Sequence, residues 1–222
     1  MSKNHLKVIL FIYSIVIMAR WLIIGISGVT CSGKTTLAKK LHESLSNSSY
    51  INQDCYYLPP DDSRHTHIAE LNHHNWDIIT SIDMEKMYLD VLKILDSSNE
   101  TENEFSKEES SIIHILIIDG ILIFNCKQIA DMCHLKYFLT LTKQQTWERR
   151  QLRSYDPPDV PCYFDKIVWP EYLKYKEKID KNQKMNETII FIDGGSSMVD
   201  VFQKVFNDVS IKLQNLELSL NS

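Results

Sequence analysis

No two cysteines form a C-x-x-C pair, and the five present (Cys31, Cys55, Cys126, Cys133, Cys162) leave one over. A disulfide framework is thereby excluded, and free thiols suit a reducing compartment. A dense basic stripe is also missing, and the net charge is −5, which argues against a nucleic-acid partner. No H-E-x-x-H spacing accompanies the histidines, and no guanine-reading N-K-x-D is present. Nor does any apolar run near the N-terminus reach the length of about 20 residues that a membrane-spanning helix needs. Val8 to Ala19 supplies 12, between Lys3 and Lys7 on one side and Arg20 on the other. Three readings of that stretch stand: a signal-peptide core, a membrane tether, or an extension ahead of a start at Met18. The last is favoured, because Met18-Ala-Arg-Trp21 leads straight into the first strand. Residues 1–17 are thus set apart as an apolar extension, and 18–222 as one domain in the cytoplasm. No internal repeat and no second domain boundary is visible.

What is present is ordinary for a globular chain of 222 residues: 44% hydrophobic and 24% charged, enough for one α/β domain with a substantial core. The chain is organised around Gly28-Val29-Thr30-Cys31-Ser32-Gly33-Lys34-Thr35-Thr36. An apolar strand signal, Trp21 to Ile26, precedes it. Leu37, Ala38, Leu41 and Leu45 follow at helical spacing. Strand, Gly-x4-Gly-Lys-Thr and helix together make a phosphate loop. Its glycines allow backbone conformations closed to other residues, so that successive N–H groups converge on phosphate at a helix N-terminus. Lys34 then reaches the terminal phosphates, and the Thr35 hydroxyl ligates Mg2+. A nucleoside triphosphate is the expected ligand.

Further along, Tyr50 to Asp54 is a short strand ending in a carboxylate. Asp61 to Thr80 is polar and aperiodic, read as a solvated loop or a segment covering substrate. It carries His65, His67, His73 and His74, which invite a metal reading; without a suitable spacing or a nearby cysteine the loop reading is preferred. Asp83 caps a helix bearing Met84, Met87, Tyr88, Val91, Leu92 and Leu95 on one face. Ser97 to Ser111 reads as an exposed loop or local disorder. Ile112 to Ile118 is a buried strand ending in Asp119-Gly120, where a carboxylate would hold Mg2+ or its water, unless Asp119 is only a turn residue. Leu135 to Leu141 is another strand, and Thr142 to Arg153 a helix. Its Arg149, Arg150 and Arg153 are either a charged face or a lid closing over phosphates. A helix over Val168 to Asp180, a strand over Thr188 to Ile192 and a helix capped by Ser197 and Asp200 complete the chain, with a frayed tail after Leu213. Five strands alternating with helices predict a parallel sheet covered on both faces, with the site at the strands' carboxyl ends.

Gly25 to Lys39, Gln53-Asp54, Ile117 to Gly120, Tyr155-x-Pro-Pro-Asp159-x-Pro-x-Tyr163-Phe-Asp165 and Val168-Trp-Pro-x-Tyr-Leu-Lys-Tyr175 resemble nicotinamide riboside kinase, a family of uridine-kinase-like P-loop kinases. The similarity runs from about Trp21 to about Phe206. It implies transfer of the γ-phosphate of ATP to the 5′-hydroxyl of nicotinamide riboside, and of nicotinic acid riboside, for NAD synthesis. By that resemblance Asp54 orients and deprotonates the hydroxyl beside Mg2+, with Lys34 on the phosphates. ATP would be held by Gly28 to Thr36, Arg149, Arg153, Ser154, Tyr155 and the Ser196, Ser197, Met198 turn. The riboside would meet Asp54, Cys55, Tyr56, Tyr57, Trp76, Asp77, Arg150, Tyr155 and Asp156. There Asp77 takes the ribose diol, and Trp76 and Tyr155 flank the cationic ring, a cation–π arrangement. Thr35, Asp54 and Asp119 form the metal set. Three residues depart from the family: Trp76 replaces tyrosine, Asp119 a longer glutamate, and Cys55 an acidic residue. A uridine or cytidine kinase and a non-catalytic nucleotide-binding regulator are the alternatives. The partners are small molecules, a monomer is compatible with all of this, and the oligomeric state stays open.

Overall fold

The structure is a computed structural model and describes residues 20–100 and 112–220. The apolar extension therefore lies outside the described residues, as does 101–111 of the acidic stretch. Strand β1 (Trp21–Gly28) is buried along its whole length, as a continuous apolar run requires when both faces of a sheet are covered. It lies at the centre of a five-stranded sheet with β2 (Ser48–Asn52), β5 (His114–Asp119), β6 (Leu135–Thr140) and β7 (Ile189–Asp193), in the order β2-β5-β1-β6-β7. All neighbours in it are parallel.

Alternation of side chains sorts the apolar residues into two layers. Ile23, Leu116 and Ile118 join a core with Met87, Val91 and Leu95 of helix α2 (Met84–Glu100) and Tyr175 and Ile179 of α5 (Trp169–Lys181). Leu22, Ile24, Ile26, Ile115 and Ile117 point the other way. They meet Leu37, Ala38 and Leu41 of α1 (Lys34–Ser44) and Val201, Val205 and Val209 of α7 (Met198–Leu220). Each fully buried Leu or Ile contributes roughly 2 kcal/mol, so the two layers rather than helix propensity hold the elements in place. Register decides the site. Asn52 pairs with Asp119, and Asp119 with Ile26, so the carboxyl ends of β2, β5 and β1 share one edge. The phosphate loop, Asp54 and Asp119 all follow from that edge.

Between β6 and α5 lie α4 (Lys143–Arg150), an irregular connection and a π-helical turn, Phe164–Val168. Thr142 caps α4 reciprocally: its Oγ1 accepts from the Gln145 N–H at 3.2 Å, and Gln145 Oε1 accepts from the Thr142 N–H at 3.0 Å. This helix carries Arg149 and Arg150, so its cap steadies the arginines. Thr142→Ala is expected to cost about 1 kcal/mol, read as a fall of about 3 °C in Tm by calorimetry.

The expected caps are present at Asp83, which accepts from the Lys86 N–H at 3.0 Å, and at Ser197, which accepts from the Asp200 N–H at 3.1 Å. Several boundaries differ. Strand β2 ends at Asn52, where the Asn52 side chain accepts from the Asp54 N–H and starts a 3-10 turn, so Asp54 is not the end of a strand. Helix α2 continues through Ser97 to Glu100, where the polar composition suggested a loop. Helix α7 continues past Leu213 to Leu220 rather than fraying, because Leu213 and Leu216 pack onto the α1-side core. Asp61 to Thr80 is not wholly irregular: β3 (His67–Ile68) and β4 (His73–His74) form a small antiparallel hairpin. Helix α4 stops at Arg150, leaving Arg153 in the turn beyond it. The short helices α3 (Lys127–Met132) and α6 (Gln183–Thr188) complete the described elements.

Candidate active site

The loop after β1 is built by backbone geometry. Gly28 and Gly33 have φ of 131° and 94°, and Cys31 also sits at positive φ, 61°. A side chain at Gly28 would meet the Leu139 carbonyl oxygen at 2.0 Å, since β6 passes directly alongside. Val29 N–H donates to that same oxygen at 3.0 Å, pinning the loop to the sheet. Helix α1 then starts at Lys34 with Gly33 as its cap and no side chain satisfying its first turn. Those N–H groups and the positive end of the helix are suited to phosphate oxygens. The Lys34 ammonium donates to the Val29 carbonyl at 2.7 Å. Burial lowers its pKa, while the carboxylates of Asp119 and Asp54 act in the opposite direction.

Asp119 is buried at the end of β5. Thr35 Oγ1 donates to its Oδ2 and Tyr50 OH to its Oδ1, each at 2.7 Å. Burial raises its pKa, and the two hydrogen bonds and Lys34 hold it down. A hydroxyl and a carboxylate already in contact, beside a phosphate loop, are hard oxygen donors of the kind Mg2+ takes together with phosphates and waters. Among the described residues no group of three or more His, Cys, Asp or Glu could hold a metal by itself. The histidines of this segment are engaged as rings: His65 stacks on His74 at 4.9 Å and lies tilted against Trp76 at 4.4 Å.

A cleft of about 500 Å3 opens over this edge. Thr30, Cys31, Lys34 and Thr35 of the phosphate loop line it together with Asp54, Asp119 and Gly120 and with Tyr57, Trp76 and Asp77. Arg150, Arg153, Ser154, Tyr155 and Asp156 come from α4 and the connection after it. Arg150 is 6% exposed and grips Asp159 with Nε at 2.6 Å and Nη2 at 2.9 Å. Its Nη1 donates to Thr30 Oγ1 at 3.2 Å, and its guanidinium lies 4.2 Å from the Tyr155 ring centroid. Arg149 Nη1 bridges the Gly194 carbonyl at 2.9 Å and the Cys31 carbonyl at 3.3 Å, joining the turn after β7 to the phosphate loop.

The sequence from 24 to 170 matches the family model described as an AAA domain. Nicotinamide riboside kinase 1 of Homo sapiens is 38% identical over 187 residues, covering 84% of this chain and 91% of that protein. The chain belongs to the nicotinamide riboside kinase family. Nicotinamide riboside kinase 2 of Homo sapiens is 34% identical over 197 residues, 87% of this chain and 83% of that one. A uridine kinase of Alkaliphilus metalliredigens is similar at 27% over 200 residues, 83% and 93% of the two chains.

In this family member not all of the expected residues meet. Thr30, Cys31, Lys34, Thr35, Asp54, Tyr57, Trp76, Asp77, Asp119, Arg150, Arg153, Ser154, Tyr155 and Asp156 meet in one cleft. Gly28, Val29, Ser32 and Gly33 form the body of the loop, and Thr36 lies in the first turn of α1. Arg149 and Met198 flank the loop on the β7 side; the Met198 Cε stands 2.7 Å from where a Gly33 side chain would begin. Ser196 and Ser197 belong to the same turn and do not line the cleft. Cys55 is exposed outside it, and the Tyr56 hydroxyl donates to Asp90 of α2 at 3.2 Å. Trp76 and Tyr155 line the same cleft, but the structure gives each a protein neighbour: Tyr57 and His65 for Trp76, Arg150 for Tyr155. Tyr50, Asp159 and Tyr163 complete the site and had no role assigned from sequence. For Asp159 and Tyr163 the signal was available, because both lie within the segment that carried the family resemblance.

Proposed function

We propose that this chain transfers the γ-phosphate of ATP to the 5′-hydroxyl of nicotinamide riboside, giving the mononucleotide, and accepts nicotinic acid riboside at the same site. The observation that carries the reading is the convergence in one cleft of the phosphate loop, Asp54 and the Trp76–Asp77 wall, in a chain alignable over most of its length with nicotinamide riboside kinases. Lys34 and the free N–H groups of α1 hold the phosphates. Asp54 orients the hydroxyl and takes its proton, Asp77 accepts from the ribose diol, and Tyr155 and Trp76 offer aromatic faces to the pyridinium. Thr35 and Asp119, with Asp54 nearby, would hold Mg2+, which would supply neutralisation of charge on the transferred phosphoryl group. Arg149, Arg150 and Arg153 form a lid over the phosphates and riboside. Phosphoryl transfer depends on positioning and charge, and this set supplies both.

The reading keeps to small-molecule substrates and a cytoplasmic nucleotide pool. Among the described residues no helix is long and apolar enough to cross a membrane. The deciding experiment incubates the purified chain with ATP, Mg2+ and a panel of ribosides, following mononucleotide by mass. Nicotinamide riboside is expected to exceed uridine by about 10²-fold in kcat/KM, because unpaired polar groups of the pyrimidine edge are penalised against aromatic faces. Turnover of uridine without nicotinamide riboside overturns the assignment in favour of a pyrimidine nucleoside kinase.

A further inference from the structure

Tyr163 is almost fully buried just ahead of the π-helical turn, in a small apolar cluster with Phe164 and Val168 against which Trp76 packs. A phenol hydroxyl has one proton to give and lone pairs to receive. Here it donates to Asp77 Oδ2 at 3.0 Å and accepts from the Trp76 backbone N–H at 2.8 Å. One buried oxygen thus ties together the two neighbouring residues that form the wall of the cleft. The Asp77 N–H donates to Asn75 Oδ1 at 3.0 Å, fixing the backbone from the other side. Asp77 Oδ1 has no hydrogen-bond partner among the described residues and remains available.

We propose that Tyr163 is a positioning residue of the riboside site, its hydroxyl fixing the rotamer of Asp77 and keeping that carboxylate ionised. The proposal deepens the kinase reading and rests on it, because it takes Asp77 to be the acceptor for the ribose diol. A hydroxyl that donates to a carboxylate favours its charged form. Burial raises the Asp77 pKa; the Arg150 cation and the Tyr163 hydrogen bond pull it down, and Asp159 and Glu171 push it up. Tyr57, on the same wall, is the remaining titratable neighbour. Ionised Asp77 offers both oxygens as charged acceptors to the diol, whereas the protonated carboxyl gives one of them up as a donor, so removing the Tyr163 hydroxyl moves the acid limb of kcat/KM for the riboside to higher pH.

The test compares the full-length wild type with Tyr163→Phe, which keeps the ring. The expected result is a riboside KM about 10-fold higher, from loss of a hydrogen bond to a charged group. The KM for ATP and kcat should stay within about twofold, and the acid limb should rise by about half a pH unit or more. In an Asp77→Asn background the same change should add less than about twofold, since the two act as a pair. A riboside KM and acid limb equal to wild type overturn the proposal. So does an equal rise in the KM for ATP, or full additivity with Asp77→Asn. A wild type that phosphorylates uridine but not nicotinamide riboside removes the substrate reading alone, and the comparison is then made on uridine, whose ribose diol is the same. Failure to phosphorylate any riboside overturns both.

Discussion

Asp54→Asn lowers kcat for riboside phosphorylation by about 10³-fold, the loss expected when a general base is removed, and leaves ATP binding within about threefold. At 1.36 kcal/mol per decade that is about 4 kcal/mol of transition-state stabilisation. Asp54 is the second residue of the short 3-10 turn Gln53–Tyr56, and its N–H donates to Asn52 Oδ1 at 2.8 Å. Gln53 is buried beneath, its Oε1 accepting from the Leu122 N–H at 2.9 Å. The turn is therefore fixed from both sides, and the exposed Asp54 lines the same cleft as Asp119. Asparagine has the same shape but cannot take the hydroxyl proton, so turnover should fall while the KM for the riboside changes little. Binding of a fluorescent ATP analogue measures the donor site independently. A variant retaining more than a tenth of wild-type kcat removes Asp54 as the base.

The parts of the site legible in the sequence are those whose chemistry is local. Gly28 to Thr36 announces itself because the backbone requirement, the cation and the following helix are contiguous. The buried strands are equally plain, since Trp21 to Ile26 and Ile112 to Ile118 are apolar on both faces. What escaped is written across long separations. Tyr50 holds Asp119 only because β2 pairs beside β5, a contact 69 residues apart in the chain. Tyr163 holds Asp77 across 86 residues, and nothing in the spacing of either residue implies the other. The helix ends were missed for a different reason. Ser97 to Glu100 carry no apolar face to continue the pattern, although the helix persists. Past Val209 the pattern does continue, with Leu213 and Leu216, and the tail's short run of polar residues obscured it. Trp76 and Tyr155 both line the cleft, and Arg150 lies over Tyr155 because Asp159 fixes its guanidinium bidentately.

Gly28→Ala tests whether the loop's conformation or its sequence motif is what matters, and it should unfold the site rather than merely weaken it. The φ of 131° is a region that an L side chain rarely adopts, and the new Cβ would sit 2.0 Å from the Leu139 oxygen and 2.6 Å from its nitrogen. Both are backbone atoms of β6, so no rotamer change relieves the overlap. Relief requires β6 to separate from β1, which breaks the Val29–Leu139 hydrogen bond that anchors the loop. The cost is expected to be about 3 kcal/mol or more, since close packing leaves the strands nowhere to move. For a chain of this size it lowers Tm by about 10 °C. ATP should lose its usual stabilising effect on the melting transition, because the N–H cradle is displaced along with the strand. Gly33→Ala provides the contrast. Its new Cβ would meet only the Met198 methyl at 2.7 Å, the far end of a flexible side chain, leaving the cost of positive φ as its main penalty. A Gly28→Ala protein that melts within 2 °C of wild type and still gains stability from ATP would show that the sheet, not the glycine, sets the cradle.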